Sequence, residues 1–135
     1  MAEEQVNFEL VTPERLLVSR GVDMVVVPGE DGDFGVLPRH TPMISNIRPG
    51  VLGLYQDGEL TESIFVAGGF AEVTAARCTV LAGQAMAVED LDRGAAEQKL
   101  KDTREDLEDG RDDEARREAE RQIAVCEEIL RITAS

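Results

Sequence analysis

The sequence predicts a β-sandwich of about ten short strands followed by an antiparallel α-helical hairpin, and three observations carry that prediction. Residues 5–87 break into short apolar runs, several alternating with period two, separated by Gly, Pro and Asp turn signals. From Val88 the pattern changes: proline disappears, and glycine occurs only at Gly94 and Gly110. Two helical stripes then flank Gly110, and so short a connection folds them back on each other. The expected domains are therefore 1–87 and 88–135.

In order along the chain, Val6 to Val11 alternates as a strand with one buried face should. Leu16-Leu17-Val18, Val22 to Val27 and Phe34 to Leu37 follow. Val51 to Tyr55 enters the turn Gln56-Asp57-Gly58, and Ser63 to Val66 resumes beyond it. An Asp-Gly pair between strand-like runs is a strong hairpin signal. Gly68-Gly69 separates Ile64-Phe65-Val66 from Phe70 to Val73, and Cys78 to Leu81 completes the series. In the second part Leu91, Ala95, Leu100 and Leu107 form a weak helical stripe. Ala115, Ala119, Ile123, Cys126 and Leu130 form the next. Alanine buries little area at about 25 cal/mol per Å2, so a hairpin with this face docks weakly, as a mobile arm would; the alternative is a permanently docked and merely solvated hairpin.

Composition narrows the function. The formal net charge is −14 over 135 residues, which opposes nucleic acid and anionic lipid and favours cationic protein partners. No apolar run reaches the roughly 20 residues that span a bilayer, so no direct lipid insertion is expected. The acidic start Met-Ala-Glu-Glu-Gln reads as neither a signal nor a transit peptide. Cys78 and Cys126 lie far apart, and with a single histidine, His40, they offer no zinc spacing. Reduced, partly buried thiols are expected, with no metal and no cofactor.

The most informative segment is Pro28-Gly29-Glu30-Asp31-Gly32-Asp33-Phe34-Gly35-Val36-Leu37-Pro38-Arg39-His40-Thr41-Pro42. Turn signals bracket three carboxylates, Glu30, Asp31 and Asp33, and Phe34 and His40 follow. A loop pinned by Pro and Gly at both ends and this acidic is built to be presented to a partner.

This segment, continued by Ile47-Arg48-Pro49-Gly50-Val51-Leu52 and by Phe65-Val66-Ala67-Gly68-Gly69-Phe70, resembles the epsilon subunits of F-type ATP synthases along the whole chain. The resemblance implies a non-catalytic rotor subunit of the central stalk. Its sandwich would bind the gamma subunit on one side and the polar loops of the membrane c-ring on the other. It would couple proton-driven ring rotation to ATP synthesis through gamma. Its helices would either lie folded on the sandwich or extend along gamma toward the alpha and beta catalytic subunits, where they would restrain ATP hydrolysis.

Carried over residue by residue, Asp33 matches the acidic position facing the c-ring. Glu30 and Asp31 lie beside it with Phe34 as a nearby aromatic anchor, and His40 matches the family histidine expected at the same end of the sandwich. Met43, Ile44 and Val51 are candidates for the gamma face. Arg116, Arg117 and Arg121 are available to acidic segments of the catalytic subunits, or else are a solvated face offsetting Glu114, Glu118 and Glu120. The ATP-binding motif of some family members is degenerate here. Leu91-Asp92-Arg93-Gly94-Ala95-Ala96 has its arginine next to the aspartate, roughly 100° per residue away from the family direction. No nucleotide is expected to bind. The implied location is peripheral, on the cytoplasmic face of a bacterial inner membrane.

Other readings of the same residues are poorer. Asp33-Phe34-Gly35 spells a kinase tripeptide, but the Gly-rich and catalytic-loop motifs are missing. Glu30-Asp31-Gly32-Asp33 lacks the closing Glu of a calcium loop, position 41 being Thr. A hydrolase needs carboxylates paired in a cleft, whereas these sit in turns and on helix faces. The rival from another class is a ligand-binding sandwich that dimerises through its helices.

Overall fold

The computed structural model describes residues 4–110 and 112–134. It contains ten strands and two α-helices among those residues. The protein divides into two compact units, Met1–Val88 and Glu89–Ser135.

In the first unit the strands are β1 (Val6–Val11), β2 (Leu16–Val22), β3 (Met24–Gly29), β4 (Gly32–Val36) and β5 (Met43–Ile47). They continue as β6 (Gly50–Gln56), β7 (Glu59–Val66), β8 (Gly69–Val73), β9 (Arg77–Ala82) and β10 (Ala85–Ala87). Hydrogen bonding links them in the order β10-β7-β6-β3-β5-β8-β9-β1-β2, with β4 on β3. The sheet curls over itself and encloses one core, to which β1, β3, β6, β7, β8 and β9 all contribute. Phe8, Leu10, Val25, Val27, Leu52, Leu54, Val66 and Val80 are fully buried there. β1 shows the cause: its alternate residues Val6, Phe8 and Leu10 are buried, with more exposed Asn7 and Glu9 between them.

The expected Asp-Gly turn is as the sequence reads it. Gln56 pairs with Glu59 across Asp57-Gly58, and both turn residues have positive φ (53° and 80°), the pair of values that matches the twist of a two-residue hairpin. Cys78 and Cys126 are free and buried. Burial pushes the Cys78 thiol up to about 12, so it stays protonated at neutral pH. Two strands exceed the sequence reading. β5 gives no clear strand signal because apolar Ile44 faces outward while Ser45 is half-buried, which spoils the alternation. β10 is only three residues long and carries no periodic signal.

The second unit holds α1 (Arg93–Glu108) and α2 (Asp113–Ile132), which pack against each other as a hairpin. Here the expected stripe on α1 needs correction. Leu91 lies before the helix and Ala95 is exposed, while Ala96, Leu100 and Thr103 are buried. The Asp92 side chain accepts the Ala95 amide hydrogen at 3.0 Å, which starts the helix at Arg93 and sets the buried phase. On α2, Ala119 and Cys126 are buried, Ile123 and Leu130 are partly so, and Ala115 is exposed.

Candidate functional site: an acidic turn braced by an arginine

β3 and β4 form a hairpin in which Gly29 pairs with Gly32, leaving Glu30 and Asp31 as its two-residue tip. Gly32 has φ 133°, a value suited to glycine. Gly29 is constrained by space instead. A Cβ there would lie 2.7 Å from the Gly32 carbonyl oxygen and 2.9 Å from Cε1 of Phe34. The Phe34 ring is half-buried and packs against the core, so it supports the turn from beneath.

The link between β5 and β6 lies alongside this tip. The Arg48 Nη1 donates to the Gly29 carbonyl at 2.6 Å, and its Nη2 meets Asp33 Oδ1 at 2.5 Å. The Arg48 amide donates to the Pro28 carbonyl at 3.0 Å. Asn46 adds a second brace, its carbonyl accepting from the Glu30 amide at 2.9 Å and its Nδ2 donating to Glu30 Oε2 at 3.2 Å. Arg48 stands within a recognisable sequence motif, but the motif alone gives it no role. The contact spans 15 residues and depends on how β3, β5 and β6 align, which local pattern does not reveal.

Glu30, Asp31 and Asp33 are all exposed, so the structure brings the three carboxylates together. One charge, on Asp33, is already compensated by Arg48. His40 is not brought to them, which corrects the expectation of a shared end. β4 carries the backbone away from Asp33, and the Arg39 amide then donates to the Ala75 carbonyl at 2.7 Å, beside the β8–β9 turn. β5 returns from there, and its far residue Ile47 pairs with Gly29. His40 and Asp33 thus lie at opposite ends of β5. The His40 Nδ1 is 2.7 Å from the Thr41 carbonyl.

Of the candidate gamma residues, Ile44 is 70 % exposed, whereas Met43 and Val51 are half-buried and Met43 packs on the core. The strand register places Ile44 on the same outward face as Phe70 and Leu81, both exposed. Leu81 pairs in turn with Val11, and Val11 with Leu16, so an apolar row crosses the sheet. Sequence reading missed this row. Its available signal was a large apolar residue at the outward phase of successive strands.

Arg116, Arg117 and Arg121 are exposed on α2. Arg121 pairs with Glu118 at 2.6 Å, and the Gln122 amide together with Arg121 holds the Glu118 carboxyl below its ordinary range. Among the described residues no group of His, Cys, Asp and Glu is placed to hold a metal. Among the described residues no helix is long and apolar enough to cross a membrane.

The two units each match a domain of one class of protein, the small two-domain chains of ATP synthases. The family model for the β-sandwich domain of the ATP synthase delta/epsilon chain matches residues 5–88, and that for the C-terminal domain of the ATP synthase epsilon chain matches residues 92–134. The ATP synthase epsilon chain of Rhodospirillum centenum is 51 % identical, covering 98 % of this protein and 94 % of that one. That of Maricaulis maris is 47 % identical, covering 97 % and 98 %. The protein belongs to the ATP synthase epsilon chain family. The fold is also similar to that of a subunit in the structure of the Euglena gracilis mitochondrial ATP synthase (OSCP/F1/c-ring). The TM-score is 0.79 at 21 % identity, over 98 % of this protein and 83 % of that one.

Proposed function

We propose that the protein is a non-catalytic rotor subunit of the ATP synthase central stalk, linking the c-ring to gamma through its sandwich and restraining ATP hydrolysis through its hairpin. The observation that carries this reading is family membership across both units at about half identity to bacterial epsilon chains. The bacterial relatives also support a peripheral position on the cytoplasmic face of an inner membrane.

In this reading the Glu30–Asp31 tip meets cationic loops of the c-ring, with Phe34 supporting it and Arg48 fixing its position. His40 belongs to a separate part of the surface. The exposed face bearing Ile44, Phe70 and Leu81 meets gamma, with Met43 packed on the core behind it, while Val51 lies on β6, away from these strands. A rigid, pre-formed turn loses little entropy on docking, and its charge sets register more than affinity. Exposed ion pairs contribute only about 0–1 kcal/mol each.

A cysteine at Asp31 tests the placement. In the assembled complex it should cross-link to c subunits; Cys78 is buried in the sandwich core, and Cys126, which an extended arm would uncover, is replaced by serine in the same variant. Cross-links to gamma alone would remove the tip from the ring interface. Asp33→Arg should loosen c in detergent by up to roughly fivefold, because it reverses a charge and sets two guanidinium groups side by side. Undiminished recovery of c would show that the turn contributes nothing to ring docking.

The arm has its own test. Removing residues 89–135 should raise ATP hydrolysis by the complex while gamma and c remain bound. An unchanged rate would withdraw the restraint and leave the coupling role. Arg116, Arg117 and Arg121 are the groups through which an extended arm would meet the alpha and beta subunits. Arg121 would have to exchange Glu118 for a new partner.

A further inference from the structure

The arginine of the degenerate segment 91–96 has an intramolecular use. Its neighbour Asp92 caps α1, and Arg93 reaches to the other helix. The Nη1 of Arg93 donates to the Leu130 carbonyl at 2.8 Å and to Thr133 Oγ1 at 3.3 Å. Its Nε also meets Glu97 Oε1 at 3.1 Å within α1.

The Leu130 carbonyl belongs to the last turn of α2, where carbonyls lack helical partners and the helix dipole is negative, so a guanidinium there satisfies both. The Thr133 hydroxyl donates to the Ile129 carbonyl at 2.7 Å, which leaves its oxygen free to accept from Arg93.

The opposite end of the hairpin is closed by a tight link. A Cβ on Gly110 would lie 2.6 Å from Cγ of Arg116 and 3.2 Å from the Leu107 carbonyl. Between the two ends the buried residues are mostly small: Ala96 and Thr103 beside Leu100 on α1, Ala119 and Cys126 on α2. The ion pair between the helices there, Arg104 to Glu127 at 3.9 Å, is exposed and weak. With little apolar area to hold the helices together, the contacts at the open end carry an outsized share of the pairing.

We propose that Arg93 is a latch across the open end of the hairpin, and that separation of α2 from α1 starts by releasing it. The latch does not depend on which partner receives the arm. Releasing it exposes the α2 carbonyls and leaves the guanidinium with Glu97 alone.

Amide hydrogen exchange on the full-length protein tests the latch, because exchange reads local opening residue by residue. In Arg93→Ala, amides in the last turn of α2 and that of Ala96 in α1 should exchange together, about 3- to 10-fold faster than in the unaltered protein. The Asp109 amide and those of β3 and β6 should hold their rates. Arg93→Lys, which retains the charge but not the fork, should fall between the two. Glu97→Gln removes the ion pair and spares the latch, so α2 should exchange as before. Faster exchange at only one helix, at neither, or equally throughout the molecule overturns the proposal, since each describes a local cap or a general loss of stability.

Discussion

Replacing Phe8 by alanine should remove about 3–5 kcal/mol from the stability of the sandwich, the largest loss expected of any single truncation in the protein. Phe8 is fully buried on β1, between Arg20 of β2 and Cys78 of β9. It is the largest of the fully buried side chains. Its removal loses the transfer free energy of the ring and leaves a cavity that a closed, curled sheet cannot collapse to fill. Stabilities of about 5–15 kcal/mol are usual for a domain, so such a loss takes a large part of the total. Urea denaturation followed by circular dichroism would read it as a lower midpoint at unchanged slope. A loss under about 1 kcal/mol would mean the core is far more adaptable than its packing implies.

Gly69→Ala should cost about 3 kcal/mol or more, for a different reason. Gly69 has φ 138°, a conformation L side chains rarely adopt. A Cβ on it would also stand 2.0 Å from the Leu81 carbonyl oxygen and 3.0 Å from Cα of Ala82. Those atoms are backbone, so no side chain can move aside. Relief requires β8 and β9 to separate where Gly69 pairs with Ala82, and Ile47 of β5 pairs with Gly69 on the other side. The disturbance therefore reaches the strand that carries Asn46 toward the acidic turn.

For a domain of this size the melting temperature should fall by roughly 12 °C or more. Gly58→Ala is the matching control, having φ 80° but no atom within 4 Å of the added carbon. It should cost only the conformational strain, about 1 kcal/mol. Equal losses at the two glycines would show that collision with β9 is not what matters at Gly69.

Most of the fold was legible because most strands have one buried face. Val6, Phe8 and Leu10 announce β1 by alternation alone, and Asp57-Gly58 announces the β6–β7 hairpin by its turn chemistry. Where the periodicity was broken, legibility failed. Ile44 faces outward on β5, so a strand central to the sheet order looked like a loop.

On α1 Leu100 and Leu107 lie on the inner face as read, but Ala95 was taken for its neighbour Ala96 and Thr103 was passed over as polar. The helix start is fixed by the Asp92 cap, and the buried positions are then Ala96, Leu100 and Thr103. The acidic turn was legible as a turn, since glycine and proline bracket it. Its brace was not. Arg48 and Asp33 meet only because β3 and the β5–β6 link align in the folded sheet. His40 follows the same rule in reverse, being close to Asp33 in sequence and carried to the other end of β5 by a strand.

The central claim, a rotor role in ATP synthase, is tested most directly by tagging this protein, solubilising the membranes of its own cells and identifying what co-purifies. A rotor subunit brings down gamma, alpha, beta and c subunits when unaltered, and recovers selectively less c, by up to roughly fivefold, with Asp33→Arg. Recovery of a clean homodimer with none of them would contradict it and favour the ligand-binding sandwich.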